Sequence, residues 1–214
     1  MTFFDWLQLF LFLVVLIALT PLIGGFMANV FEGQKNVLTP ILLPLENVFY
    51  KLMGVEKEQS MNAKQYASAL LIFNFLGFLA VFFILMLQKY LPLNPQGFDN
   101  LSWHLAFNIA SSFVTNTNWQ SYGGESSLSY LSQMAALTTQ NFVSAATGFT
   151  VLLALIRGLV GKKTSNLGNF WVDLTRSTLY VLLPLSIVYA FALIGQGVIQ
   201  NYHSAVQVTT LEGL

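Results

Sequence analysis

Residues 114–125 read Val-Thr-Asn-Thr-Asn-Trp-Gln-Ser-Tyr-Gly-Gly-Glu, a polar run set among long apolar segments. Non-helical backbone at membrane depth is tolerated only where protein covers it or where it lines a wet cavity. In potassium channels such backbone is the selectivity filter, whose carbonyl oxygens replace the water around the ion. The channel motif uses glycine to reach the required backbone angles. Residues 114–118 contain no glycine, but Asn116 and Asn118 are among the few other residues that tolerate left-handed angles. Other chemistries find little support. With no cysteine there is no disulfide, thiolate site or cysteine-bound metal. His104 and His203 stand far apart and form no metal motif. No paired catalytic groups lie inside the apolar segments, and there is no P-loop, phosphorylated-aspartate motif or soluble domain.

A loop at that depth needs elements to hold it there. Residues 102–113 form a short amphipathic stretch, and the Ser102 hydroxyl can cap its first turn. As a helix it is ~18 Å long, about half of a bilayer core. A re-entrant helix that starts outside ends near mid-membrane, and the negative end of its dipole then favours a cation in the cavity below. Uncharged runs at 65–88 and 126–156 flank it, each long enough to span. Residues 65–156 thus read as one complete pore repeat: span 65–88, pore helix 102–113, filter 114–120 and span 126–156. Residues 90–101, with Pro92, Asn94, Pro95, Gly97 and Asp99, are turn-rich. The second span is long, which predicts tilt or a break. Its Ser129, Gln133, Gln140, Ser144 and Gly148 are compatible with one helical face, packed on neighbouring helices or touching the ion path. Asn74 and Gly77 lie mid-span in the first; Asn74 would bond a neighbouring helix or contact the ion. His104 reads as an interfacial hydrogen-bonder.

Only 8% of residues are charged and 55% are hydrophobic, far from the roughly 25% charged of a soluble domain. Zero net charge gives no reason to expect a nucleic-acid partner; the partner that composition predicts is the lipid bilayer. Residues 6–31 carry no charge and read as a first transmembrane helix rather than a signal peptide, because residues 1–5 hold no basic residue. Residues 32–64 form a charged connection. Within it Ile41, Leu42, Leu45, Val48, Phe49 and Leu52 recur at helical spacing, with Glu46, Asn47 and Lys51 between them. That helix either lies at the membrane interface or packs on the bundle. Residues 157–176 form a second charged connection, with Arg157 at the membrane boundary. A fourth span follows at 179–200, kinked at Pro184, so that 177–214 hold one span of a further repeat and a polar tail. Of nine Lys and Arg residues, eight fall in the two connections and only Lys89 elsewhere. Positive charge marks that side as cytoplasmic, so the pore loop opens outward. Glu125, at the outer end of the third span, has two roles open to it: drawing cations to the vestibule, or capping the following helix.

The run 112–122, Ser-Phe-Val-Thr-Asn-Thr-Asn-Trp-Gln-Ser-Tyr, resembles the first filter of the potassium-binding A subunit of the Kdp potassium-transporting ATPases. Residues 90–96, 155–157 and 167–173 fit the same family, so the resemblance covers essentially the whole chain. It implies an all-α integral membrane protein of the span–pore-loop–span type, with four transmembrane helices here plus one re-entrant pore helix. Family members are more than twice as long and hold four such repeats, so this chain reads as an N-terminal part. The resemblance places Val114, Thr115, Asn116, Thr117 and Asn118 in the first quarter of a potassium filter, with Gln120 and Glu125 flanking it. It implies potassium as the bound ion, with no organic cofactor, and a bacterial plasma-membrane location. It also implies a P-type ATPase partner, KdpB, that hydrolyses the ATP, with accessory subunits KdpC and KdpF; this subunit would be non-catalytic. Two other readings stay open: a piece of a Trk/Ktr-type potassium transporter, and a truncated chain that does not transport.

Overall fold

Four helices are long and apolar enough to cross a membrane: Phe3–Phe31, Ala63–Tyr90, Ser132–Val160 and Phe170–Gly195. The computed structural model describes residues 2–161, 166–199 and 201–204, and no strand occurs among them. Helix α1, Phe3–Phe31, opens on a capping box: the Thr2 hydroxyl accepts from the Asp5 amide, and the Asp5 carboxylate accepts from the Thr2 amide at 2.6 Å. Of its side chains only Val30 is buried. Such an exposed apolar surface suits lipid, since water would penalise every side chain on it.

Helix α2, Thr39–Met53, packs on the bundle through a face that the sequence pattern hid. Its buried residues are Glu46 and Tyr50, while Ile41, Val48 and Leu52 are exposed. Glu46 accepts hydrogen bonds from the hydroxyls of Tyr50 and Tyr180, each at 2.7 Å, and from Arg176 Nε at 3.2 Å. A carboxylate can be buried only when paired in this way.

Helix α3, Ala63–Leu87, ends in a 3₁₀ turn, Gln88–Tyr90. The Asn74 amide donates to the Leu70 carbonyl of its own helix at 2.8 Å. That bond uses one of its two amide hydrogens and leaves the side-chain oxygen open for a further partner. The half-length helix α4, Trp103–Val114, is capped by Ser102 and lies against α3. Ala106, Ile109, Ala110 and Phe113 are buried there with Val81, Leu85 and Leu128; the alanines let the two backbones approach. Fully buried Gln88 ties the surroundings together. Its amide donates to the carbonyls of Asp99 and Ser127, and its oxygen accepts from the Ser129 amide and the Ser132 hydroxyl. His104 is exposed and stacks on Trp103, with ring centroids 3.8 Å apart.

The expected span 126–156 is broken. A single turn, α5 at Gly124–Ser127, is followed by non-helical Leu128 and Ser129, then a π turn, Ser132–Thr138, and α6, Thr139–Val160. Ser129 therefore lies off the helix, though buried, and Gly148 is exposed; of the expected polar face Gln140 and Ser144 are buried, and half-buried Gln133 donates to the Gly124 and Leu128 carbonyls. Gln140 fills the space beside Gly77: a Cβ at 77 would lie 2.6 Å from Gln140 Oε1. Arg157 sits in the last turn of α6. The fourth span starts at Phe170, well before residue 179, and runs as α7, Phe170–Arg176, a π turn, Ser177–Leu182, and α8, Leu183–Gly195. The charges of Asp173 and Arg176 do not end it, because each is paired. Arg157 forms a two-pronged ion pair with Asp173, at 2.5 and 3.0 Å, and Arg176 holds Glu46. The π turn ends at Leu182, and Pro184 falls in the first turn of α8, where its missing N–H costs little.

The two charged connections meet at one end of the bundle. The Met61 amide donates to the Gly168 carbonyl at 2.7 Å, and the Leu167 amide to the Met61 carbonyl at 3.0 Å. At the opposite end, the Tyr130 amide donates to the Leu93 carbonyl and the Tyr130 ring packs edge-on against Tyr202. Lys162 and Lys163, Gln200 and the tail beyond Ser204 lie outside the described residues.

Candidate cation-binding loop

Helix α4 stops at Val114, so this residue, expected to open the filter, is the last of the helix. Beyond it the chain winds back over the helix end. The amides of Thr115 and Asn116 donate to the carbonyls of Ser111 and Phe113, and those of Thr117 and Asn118 both donate to Ser112, at 2.9 and 3.2 Å. The Trp119 amide donates to Ser112 Oγ at 2.6 Å, and that hydroxyl donates to the Trp119 carbonyl at 3.1 Å. Asn116 and Asn118 make this winding possible, since both are left-handed, with φ of 58° and 56°.

One consequence follows from peptide geometry. In a planar trans peptide the carbonyl points opposite to the next residue's N–H, and no peptide here is cis. The N–H groups of residues 115–119 all turn toward the last turn of α4. The carbonyls of Val114, Thr115, Asn116, Thr117 and Asn118 therefore all point away from it. Among the described residues, none of these five oxygens accepts a hydrogen bond. A neutral loop with five carbonyl oxygens that accept no hydrogen bond among the described residues has the chemistry to ligate a cation.

The side chains divide the work. Thr115 and Thr117 are exposed, with hydroxyls 3.0 Å apart. Asn116 and Asn118 turn their amides toward α6: Asn118 Nδ2 lies 2.9 Å from Asn141 Oδ1, and Ser144 Oγ lies 3.2 Å from Asn116 Oδ1. Gln120 is exposed just past the loop. Glu125 is exposed in the first turn of α5, and the longer helix of the third span begins only after Ser129. Sequence reasoning missed Ser112 as the anchor and Asn141 as a neighbour of the loop. An asparagine on a membrane-crossing helix is the signal that could have found the latter.

Together these elements define an all-α integral membrane protein built on a unit of span, half-length helix, oxygen-lined loop and span. Residues 10–214 match the family model of KdpA, the potassium-transporting ATPase A subunit. Three similar relatives each bear the name potassium-transporting ATPase potassium-binding subunit. That of Geobacter metallireducens is 55% identical over 202 residues, 94% of this chain and 34% of the relative. That of Pseudomonas fluorescens is 56% identical over 209 residues, 98% of this chain and 37% of the relative. That of Geobacter sulfurreducens is 52% identical over 211 residues, 99% and 36%. The chain belongs to the KdpA family, and it spans about a third of the length of these curated relatives.

Proposed function

We propose that this chain forms part of the potassium-binding subunit of an ATP-driven uptake system in the bacterial plasma membrane. External potassium binds at residues 114–118, flanked by Gln120 and Glu125, and passes to a P-type ATPase partner, KdpB, which hydrolyses the ATP. KdpC and KdpF complete the assembly. The connections at 32–64 and 157–176 face the cytoplasm, and the loop opens outward. The observation that carries this reading is that the five carbonyls accept no hydrogen bond among the described residues while the amides behind them are bound to the end of α4. Such oxygens can replace part of an ion's hydration shell. One loop supplies only a share of the oxygens, and further repeats of a full-length subunit supply the rest.

Gln120→Arg in a full-length subunit containing this sequence tests the reading. A fixed positive charge about 6 Å from an ion costs roughly 2.8 kcal/mol at an effective dielectric near 20. The expected result is a rise in the half-saturation for potassium uptake of up to about a hundredfold. Gln120→Leu, which removes only hydrogen bonding, has a smaller effect. Wild-type half-saturation in both variants, measured in cells lacking other potassium uptake, would place the ion path elsewhere.

A further inference from the structure

We propose that Asn141, seconded by Ser144, is a positioning residue for the loop: it touches no ion but sets the loop's shape through Asn118. The proposal rests on the loop being the cation site. Asn118 donates from Nδ2 to Asn141 Oδ1 at 2.9 Å and to Asn116 Oδ1 at 3.3 Å. Ser144 Oγ lies 3.2 Å from that same Asn116 oxygen and 3.1 Å from the Asn141 carbonyl, so its one proton is shared between them. Asn141 and Ser144 are one helical turn apart on α6 and share a face. The four side chains thus form one hydrogen-bonded chain that ties both left-handed residues of the loop to the third span.

The loop then has two independent holds. Ser112, on α4, grips its amides from behind; the Asn141–Ser144 pair grips its asparagine side chains from the flank. The first hold fixes which way the carbonyls point. The second fixes Asn116 and Asn118 relative to each other, and with them the spacing of the carbonyls between. Carbonyl number and placement are what distinguish ions of similar size. Asn141 is exposed in this chain, and a polar side chain on a membrane-crossing helix faces protein or a wet cavity rather than lipid. Its amide oxygen finds its partner in Asn118.

The test is a double-mutant cycle in a full-length subunit with its partner subunits, in cells lacking other potassium uptake. Asn141→Ala, Asn118→Ala and the double variant are compared for potassium and rubidium half-saturation, maximal rate and amount in the membrane. Loss of one hydrogen bond predicts about a tenfold rise in the potassium half-saturation for Asn141→Ala. The potassium-to-rubidium preference narrows and the maximal rate per subunit stays unchanged. Because Asn141 acts through Asn118, the double variant is no worse than Asn118→Ala alone. If Asn141→Ala does not reach the membrane, Asn141→Gln, which keeps the amide but displaces it, is expected to show the same rise. An unchanged half-saturation in the variant that does reach the membrane, or effects that multiply in the double variant, overturns the proposal. If Asn118→Ala and Gln120→Arg shift the half-saturation while Asn141→Ala does not, only the positioning role falls. If none of them shifts it, the cation-site reading falls as well.

Discussion

Replacing Arg157 with Leu leaves the Asp173 carboxylate buried without its charge partner. The Asp173 side chain is 2% exposed and that of Arg157 28%. The pair is two-pronged, and the Tyr66 hydroxyl lies 3.0 Å from the same carboxylate and 2.9 Å from the Thr150 carbonyl, so one cluster joins spans two, three and four. Breaking a buried pair costs about 3–5 kcal/mol. The partial exposure of Arg157 puts the loss near the lower end, about 3 kcal/mol. For a protein of this size that corresponds to a fall of about 6–12 °C in melting temperature. Arg157→Leu/Asp173→Leu removes both charges, leaves Tyr66 its Thr150 partner and, among the described residues, deprives only the Leu167 carbonyl of its Arg157 donor. That loss is worth about 1 kcal/mol, or about 2–4 °C. The double variant is therefore more stable than Arg157→Leu. The assay is thermal unfolding of purified protein in detergent, followed by tryptophan fluorescence. An Arg157→Leu protein melting within about 2 °C of wild type, or a double variant less stable than the single, would refute the reasoning.

Two further predictions concern topology and pH. Cysteines placed at Lys57 and Asn201 are expected to react differently with an impermeant thiol reagent on intact cells: Asn201 labels and Lys57 does not. Labelling at Lys57 alone would invert the orientation. Burial pushes the Glu46 carboxyl up, but hydrogen bonds from Tyr50 and Tyr180 and the charge of Arg176 outweigh it and hold the folded value below 4.5. A carboxyl with a depressed folded value stabilises above its unfolded value, and that stability is lost as pH falls through the folded one. Melting temperature is therefore expected to drop more steeply below about pH 4.5 in wild type than in Glu46→Gln; identical pH profiles would show that Glu46 contributes nothing.

The sequence by itself determined the class of this protein and the order of its parts. Long uncharged runs specify membrane-crossing helices because a charge in hydrocarbon is costly, and no other chemistry competes for residues 65–88. Residues 102–113 could only be a half-length helix, since Ser102 caps it and the polar run ends it. Asn116 and Asn118 also marked their own backbone, because few other side chains accept left-handed angles. Tertiary structure alone decided where charges are affordable. Arg157, Asp173 and Arg176 read as a loop, yet they lie in helices, because each has a partner that is distant in sequence or on another element. Glu46 read as a polar residue between apolar ones, yet it points inward, because Tyr50 one turn on and Tyr180 and Arg176 from the fourth span converge on it. The direction of the five carbonyls was equally out of reach. It is set by what their neighbouring amides bind, and a sequence records the donors without recording which acceptors the fold brings to them.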